Sequence, residues 1–181
     1  MLHENTLDAR RAALAVIDVQ EAFRQHMPDF AEVAARCALV AHAARLLGLP
    51  VVVTEQYPKG LGTTVSEVAE HLPGGVEPLE KVRFSAAEAD GFGLGERNQV
   101  LICGIETHVC VAQTTLDLLD DDVEVHVAAD AVGSRFERNR ELGLTRMERS
   151  GALLTSVEMA LFELLGGSDA PAFKEVQALV K

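Results

Sequence analysis

The sequence predicts a three-layer α/β sandwich whose central sheet is mostly parallel and has about six strands. Short apolar runs typical of buried strands alternate along the chain with longer segments whose apolar residues recur at helical spacing. This alternation favours a parallel sheet covered by helices on both faces. Because the chain has 181 residues, of which 48% are hydrophobic, one core is the simplest expectation, and we predict a single domain over residues 1–181.

Recognisable signals bound the predicted elements. The helix at 30–47 stops at Gly48, and Pro50 precedes the next strand. Residues 57–80 are rich in proline and glycine and are predicted to form either a loop over the crevice at the sheet's edge or a surface excursion. The predicted strands lie at 12–17, 51–54, 99–104, 124–129 and 152–155, and the other helices at 109–119, 137–149 and 157–165.

Charge and hydropathy exclude two classes of partner. The formal net charge of -12 and the sequence pI near 4.9 argue against nucleic acid, whose phosphate backbone requires clustered Lys and Arg. No apolar stretch approaches the about 18 residues of a membrane span, and the polar residues 1–11 do not resemble a secretory leader. We therefore expect a cytoplasmic protein without a membrane partner.

Cys110 is a candidate nucleophile. The chain contains an odd number of cysteines, Cys37, Cys103 and Cys110, with no disulfide pattern, which fits a reducing compartment. Cys110 follows a predicted strand that ends at Gly104 and lies near the first turn of the next helix, where free N–H groups and the helix dipole favour a thiolate. A buried structural thiol is the alternative.

Two charged residues fall where they could meet this cysteine. Asp18 ends the first predicted strand, and Lys81 lies in the segment Glu80-Lys81-Val82-Arg83-Phe84. Because the carboxyl ends of strands in a parallel sheet meet in one crevice, an acid, a cation and a thiol can converge there. The alternatives are that Asp18 caps a turn and that Lys81 is a solvated surface charge.

Three ordered motifs carry a family resemblance. They are I-D-V-Q-x-x-F from Ile17, K-x-x-F-S from Lys81, and G-I-x-T-x-x-C-V from Gly104. Together they resemble the isochorismatase-like cysteine hydrolases over residues 13–164. Residues 53–62 further resemble the subgroup called isochorismatase domain-containing proteins.

The resemblance implies a catalytic triad of Asp18, Lys81 and Cys110 and a cis peptide bond between Ile105 and Glu106. Lys81 would stabilise the Cys110 thiolate, and Asp18 would carry the proton between thiol, leaving group and water. The backbone N–H groups of Glu106 and Cys110 would form the oxyanion hole. The implied reaction is hydrolysis of a C–N bond through a thioester.

The predicted substrate pocket contains Gln20, Phe23, Tyr57 and Ile105. Relatives that bind a metal carry an Asp-x-His motif after the second strand, whereas residues 54–57 contain no histidine. We therefore expect neither a metal nor another cofactor.

Two functions are consistent with these residues. One is a metal-independent cysteine hydrolase acting on a small amide or related C–N substrate. The other is a noncatalytic binding or assembly protein that keeps the fold. Relatives are commonly oligomers, so at least a homodimer is expected. The side chain of Glu106 either faces the pocket, where it would disfavour anionic substrates, or points outward, toward Arg83 or a neighbouring subunit.

Overall fold

The computed structural model describes residue 3 and residues 5–181, and a six-stranded sheet forms its centre. Its strands are β1 (Ala12–Ile17), β2 (Val51–Gln56), β3 (Leu79–Lys81), β4 (Gln99–Ile105), β5 (Glu124–Gly133) and β6 (Leu153–Thr155). They lie in the order β3-β2-β1-β4-β5-β6, and every pairing between neighbouring strands is parallel. The predicted α/β sandwich with a mostly parallel sheet is confirmed.

Helices cover both faces of the sheet. They are α1 (Phe30–Leu47), α2 (Pro58–Leu61), α3 (Ser66–Ala69), α4 (Ala112–Asp120), α5 (Glu137–Arg149), α6 (Val157–Leu165) and α7 (Phe173–Leu179). The α1, α6 and α7 helices pack in the hydrophobic core on one face, and α4 and α5 pack in the core on the other. Two short 3₁₀ helices, at Glu21–Gln25 and Ala86–Glu88, and a π turn at Thr107–Val111 complete the helical structure of the described residues.

The central strands are buried on both faces. In β1, Leu14 and Val16 belong to the core beneath α1, whereas Ala15 and Ile17 belong to the core beneath α4. Successive side chains of a strand point to opposite faces, so a strand between two helical layers needs apolar residues at every position. This requirement explains the uninterrupted apolar run of β1.

The direction of chain progression across the sheet reverses between β1 and β4. The chain passes from β1 to β2 on one side and later returns to β4 on the other side of β1. At the carboxyl ends of these two strands, Ile17 is in register with Gly104. In open α/β sheets ligands bind at such a switch point, so Asp18 and Ile105 flank the expected binding position.

Three parts of the chain differ from the prediction. The stretch at 57–80, predicted as a loop, contains α2 and α3 and runs into the third strand, β3. A strand of three residues is too short to show periodicity, and its pairing with β2 determines its structure. The fifth strand continues from the predicted end at Ala129 to Gly133, after a register shift opposite Ile102 and Gly104. The α7 helix was not predicted.

Candidate active site

Asp18 is fixed at the carboxyl end of β1 by two contacts to β2. Its N–H donates to the Thr54 carbonyl at 3.1 Å, and the Thr54 hydroxyl donates to Asp18 Oδ1 at 2.7 Å. The backbone of Asp18 has a φ of 51°, a left-handed value in which Asp is enriched. The side chain is buried, so the carboxylate is a structural part of the switch point and not a solvated turn residue.

Lys81 ends β3, and its ammonium is enclosed. Nζ lies 2.7 Å from Asp18 Oδ2, and it donates to Gln56 Oε1 at 2.7 Å and to the carbonyls of Phe84 and Arg83 at 3.0 and 3.2 Å. The side chain is 1% exposed, so the alternative of a solvated surface charge does not hold. No hydrogen bond of good geometry from the described residues reaches Oδ2, so this oxygen keeps a lone pair free to accept a proton.

Cys110 lies in the π turn just before α4. Burial and, after it, the Asp18 carboxylate raise the pKa of the thiol to about 12, whereas the Lys81 ammonium acts to lower it. The predicted influence of Lys81 thus has the expected sign. The net shift nevertheless runs against the thiolate that the helix start and Lys81 were expected to favour, because burial and Asp18 outweigh the lysine. Burial beside the ion pair therefore favours the neutral form of the Cys110 thiol.

Accessibility still makes Cys110 the thiol expected to react first. Cys37 and Cys103 are fully buried, and the Cys37 thiol donates to the Ala131 carbonyl at 3.3 Å. We expect brief iodoacetamide treatment at neutral pH to alkylate Cys110 slowly and alone, with the other two thiols reacting only after unfolding in urea. Peptide mass spectrometry measures the order, and faster labelling of Cys37 or Cys103 in the folded protein would count against the site.

The β4 strand approaches β1 very closely at Gly104. This glycine has a φ of 121°, and an ideal Cβ built on it would lie 2.1 Å from the Ile17 carbonyl oxygen. Only glycine fits this contact, which brings the end of β4 against Ile17, the residue before Asp18. One residue further on, the peptide bond between Ile105 and Glu106 is cis, at the position that the family resemblance implied.

The carboxylate of Glu106 pairs with Arg135, on the segment after β5. Arg135 Nε lies 3.1 Å from both carboxylate oxygens, and the Arg135 N–H donates to Oε2 at 2.9 Å. The predicted alternative partner, Arg83, instead lies 3.6 Å from Glu88. The pairing raises the pKa of the Arg135 guanidinium and offsets the negative charge of Glu106. Glu106 is therefore a weaker barrier to anionic substrates than its sequence position suggested.

Hydrogen bonds on both sides of Cys110 fix the π turn. The Glu106 carbonyl accepts from the Val111 N–H at 3.2 Å. On the helical side, the Thr114 hydroxyl donates to the Cys110 carbonyl and accepts from the Ala86 N–H, both at 2.7 Å. The position of the nucleophile is thus tied to the segment that follows Lys81.

The α5 helix supports the same turn from outside. A Cβ on Gly143 would lie 3.0 Å from the Thr107 carbonyl oxygen and the His108 Cα, so the helix packs directly on the turn's backbone. His108 Nδ1 lies 3.0 Å from Ser134 Oγ. These contacts give His108 a structural role.

Three of the four predicted pocket residues are built into the surrounding structure. Gln20 is buried, and its amide donates to the carbonyls of Gln56 and Gly62 and accepts from the Gln56 N–H. These hydrogen bonds to backbone groups take up the amide of Gln20, which was predicted to line the substrate pocket. Phe23 packs against the core beneath α1, and Ile105 is fully buried in that core.

Tyr57, the fourth, is 55% exposed and lines a cleft of about 330 Å³ that also borders Lys81. Asp18 and Cys110 do not line this cleft, which approaches the ion pair from the β3 side. A second cavity of about 310 Å³, at the end of β5, contains none of the predicted site residues. The first cleft is lined by Tyr57, Pro58, Lys59, Glu80, Lys81 and Val82.

Within the described part of the chain, no group of three or more His, Cys, Asp or Glu side chains is arranged to hold a metal ion. Thr54 and Gln56, in the segment where metal-binding relatives carry their motif, bind Asp18 and Lys81 instead. His71 stacks on His42, with 5.0 Å between ring centroids. Metal independence stays a prediction.

Several positioning residues were missed from the sequence. Thr54 could have been found, since it pairs with the last residue of β1. Gln56 and Thr114 carry no local signal, because their partners Lys81 and Cys110 are distant in sequence. Arg135 lies in a segment whose position depends on the unpredicted extension of β5.

Fold and site together define a parallel α/β protein with a buried Asp–Lys ion pair and a cysteine at the switch point. A family model described as the isochorismatase domain matches residues 12–159. The chain belongs to the isochorismatase family and has that family's hydrolase fold.

Curated relatives support the predicted subgroup. The chain is 44% identical over 171 residues to isochorismatase domain-containing protein 2 of Bos taurus, covering 93% of this chain and 82% of that protein. It is 43% identical over 177 residues to the secreted isochorismatase effector Isc1 of Phytophthora sojae, covering 94% of this chain and 84% of the effector.

Solved structures of similar proteins share the fold. A Caenorhabditis elegans protein described as MAR1 ribonuclease superposes with a TM-score of 0.92 at 42% identity, covering 97% of this chain and 92% of that chain. YcaC from Pseudomonas aeruginosa superposes with a TM-score of 0.85 at 26% identity, covering 99% and 93%. The YcaC structure contains hexane-2,5-diol and covalent acrylamide.

Location and assembly stay predictions. No helix in the described residues is long and apolar enough to cross a membrane. The cytoplasmic location is an expectation from the sequence, and one relative is described as a secreted effector. The homo-oligomer is likewise an expectation.

Proposed function

We propose that this chain is a cysteine hydrolase that cleaves a small amide or related C–N substrate through a thioester intermediate. The observation that carries the proposal is the 2.7 Å contact between Lys81 Nζ and Asp18 Oδ2, beside a Cys110 thiol whose pKa responds to both groups. Perturbed nucleophiles next to a base and a cation are typical of catalytic sites. The family's hydrolase fold supports the same class of reaction.

In the acylation step, the raised pKa of Cys110 keeps the thiol neutral until substrate arrives. The thiol then gives its proton to Asp18, and the resulting thiolate pairs with the Lys81 ammonium. Sulfur attacks the carbonyl carbon, the C–N bond breaks, and the amine leaves with the proton from Asp18. In the second step, water gives a proton to Asp18 and attacks the thioester, and the acid product leaves as the thiol is restored.

The oxyanion of each tetrahedral intermediate needs hydrogen-bond donors that stabilise its negative charge. The backbone N–H groups of Glu106 and Cys110 are the proposed pair, on either side of a turn held by the Glu106 carbonyl. Loss of one such donor typically raises a barrier by about 3 kcal/mol. The pairing of Glu106 with Arg135 keeps the acidic side chain away from the developing negative charge.

Two other functions define alternative outcomes. A noncatalytic binding protein would keep the fold but not need the buried ion pair, whose desolvation is costly. Cleavage of RNA, suggested by the name of the C. elegans structure, would require cationic surface for phosphate binding. The net charge of -12 argues against that reading. We further propose that the enzyme works as one domain per chain, in a cytoplasmic homo-oligomer.

A substrate screen tests the proposal. The wild type, Cys110→Ala and a control, Cys37→Ala, would be incubated with amides, ureido acids and carbamoyl compounds, and separately with labelled RNA. We expect hydrolysis of at least one C–N substrate by the wild type and the control but not by Cys110→Ala, with an acyl mass on Cys110 in quenched samples. RNA cleavage that requires Cys110, without any C–N hydrolysis, would overturn the proposal.

Activity is expected to survive removal of metal ions. The side chains of Thr54 and Gln56 are already hydrogen-bonded to Asp18 and Lys81. The described residues contain no cluster of side chains arranged to bind a metal ion. Overnight dialysis against EDTA should leave the rate of C–N hydrolysis within about twofold of the untreated enzyme. Stoichiometric zinc or iron in elemental analysis, lost together with activity and restored by adding the metal back, would contradict this prediction.

A further inference from the structure

Ser85 has a buried hydroxyl that the triad does not explain. The residue is 2% exposed, and its Oγ has no hydrogen-bond partner among the described residues. An unpartnered buried hydroxyl is unfavourable, so one in a native fold calls for a reason. A molecule that enters the site during the reaction would supply its missing hydrogen bond.

The position of Ser85 is defined from two directions. The carbonyl of the preceding residue, Phe84, accepts from Lys81 Nζ at 3.0 Å. The N–H of the following residue, Ala86, donates to Thr114 Oγ1, which in turn donates to the Cys110 carbonyl. Ser85 therefore lies between a carbonyl that binds the Lys81 ammonium and an N–H group that is linked, through Thr114, to the turn that carries Cys110.

We propose that Ser85 Oγ accepts a hydrogen bond from the water that hydrolyses the thioester, and so acts as a specific deacylation residue. This inference rests on the proposed function. In this proposal the water donates one hydrogen to Asp18 Oδ2 and the other to Ser85 Oγ, two buried oxygens that have no well-formed hydrogen bond among the described residues. The water oxygen then faces the thioester carbon.

The step balances without any further reactant. The water oxygen bonds to the carbonyl carbon while its proton moves to Asp18, and the C–S bond then breaks. The Cys110 sulfur leaves as a thiolate beside Lys81 and takes the proton from Asp18. The products are the free acid and the restored thiol.

Deacylation needs such a residue more than acylation does. In acylation the Cys110 sulfur is covalently attached to the chain, so its position is already set. Water is small and free to rotate, and one acceptor, Asp18, fixes only one of its two hydrogens. A second acceptor orients the lone pair toward the carbon, which is a positioning contribution of the kind that proximity supplies in enzymes.

The test measures acylation and deacylation separately in Ser85→Ala. We expect the deacylation rate to fall about tenfold or more, while the acylation rate in a single turnover changes less than about twofold. Intact-protein mass spectrometry at steady state should then show a much larger fraction of Cys110 carrying the acyl mass in Ser85→Ala than in the wild type. Ser85→Thr keeps a hydroxyl and should regain part of the deacylation rate.

Thr115→Val is the matched control. Thr115 is also fully buried, its hydroxyl also lacks a partner, and it lies in α4, outside the triad. It should leave the ratio of the two rates unchanged. Equal slowing of both steps in Ser85→Ala, or accumulation of the acyl mass in Thr115→Val as well, would overturn the role of Ser85. Absence of any acyl mass on Cys110 in all variants, the wild type included, would instead refute the proposed thioester mechanism.

Discussion

Lys81→Met is expected to lower the free energy of unfolding by about 3–5 kcal/mol. The substitution keeps much of the apolar stem but leaves the Asp18 carboxylate buried without its counter-charge, 2.7 Å from where Nζ lies. It also leaves Gln56 Oε1 and two carbonyls without their donor. Urea unfolding followed by circular dichroism measures the loss.

A double variant separates charge from packing. In Asp18→Asn/Lys81→Met neither charge remains buried, so the double variant should be more stable than the sum of the two single losses predicts. Arg10→Met removes an ion pair whose arginine is exposed, and should leave the unfolding midpoint nearly unchanged. A loss below about 1 kcal/mol in Lys81→Met would show that the ion pair is not desolvated as described.

Gly104→Ala is expected to prevent folding or to cost more than about 4 kcal/mol. The new methyl group would have to occupy space 2.1 Å from the Ile17 carbonyl oxygen and 2.7 Å from the Ile17 nitrogen, both of which belong to the central strand. The φ of 121° adds strain for any residue with a Cβ. Relief would require β1 and β4 to separate at the switch point, which would also displace Asp18.

Gly74→Ala is the matched control for this substitution. A Cβ at Gly74 would meet no atom within 4 Å, and its φ is not in the left-handed range. Its free energy of unfolding should change by less than about 0.5 kcal/mol. If Gly104→Ala folded with a stability within about 1 kcal/mol of the wild type, the close approach of the two strands would be wrong.

The parts of the site that follow long buried strands could be predicted from the sequence. Asp18 comes directly after an unbroken apolar run, and Cys110 follows another after a short turn. In a parallel sheet the ends of such strands share one edge, so the two residues could be expected near each other. Lys81 was placed by its motif, because the strand that carries it has three residues and no periodic signal.

The electrostatics of the site could not be predicted in the same way. The pKa of Cys110 depends on how deeply the thiol is buried and on its contact with Asp18, and neither quantity follows from spacing. Gln20 illustrates the same limit, since its amide donates to the carbonyl of Gln56, beyond the predicted end of the second strand, and to the carbonyl of Gly62, in the stretch predicted as a loop. The partner of Glu106 was missed because Arg135 becomes adjacent only through the long β5 strand.

The pH dependence of Cys110 alkylation, compared in the wild type, Asp18→Asn and Lys81→Met, tests the coupling of the three residues most directly. In the wild type the alkylation rate should continue to rise well past pH 9, the ordinary pKa of the thiol, because the pKa of Cys110 is about 12. Removing the carboxylate should lower the pKa of the thiol, and removing the ammonium should raise it, with circular dichroism confirming that each variant is folded. Opposite shifts of the two profiles are the expected result. Three coincident profiles, or a wild-type profile that levels off near pH 9, would contradict a site in which Asp18 and Lys81 act on Cys110.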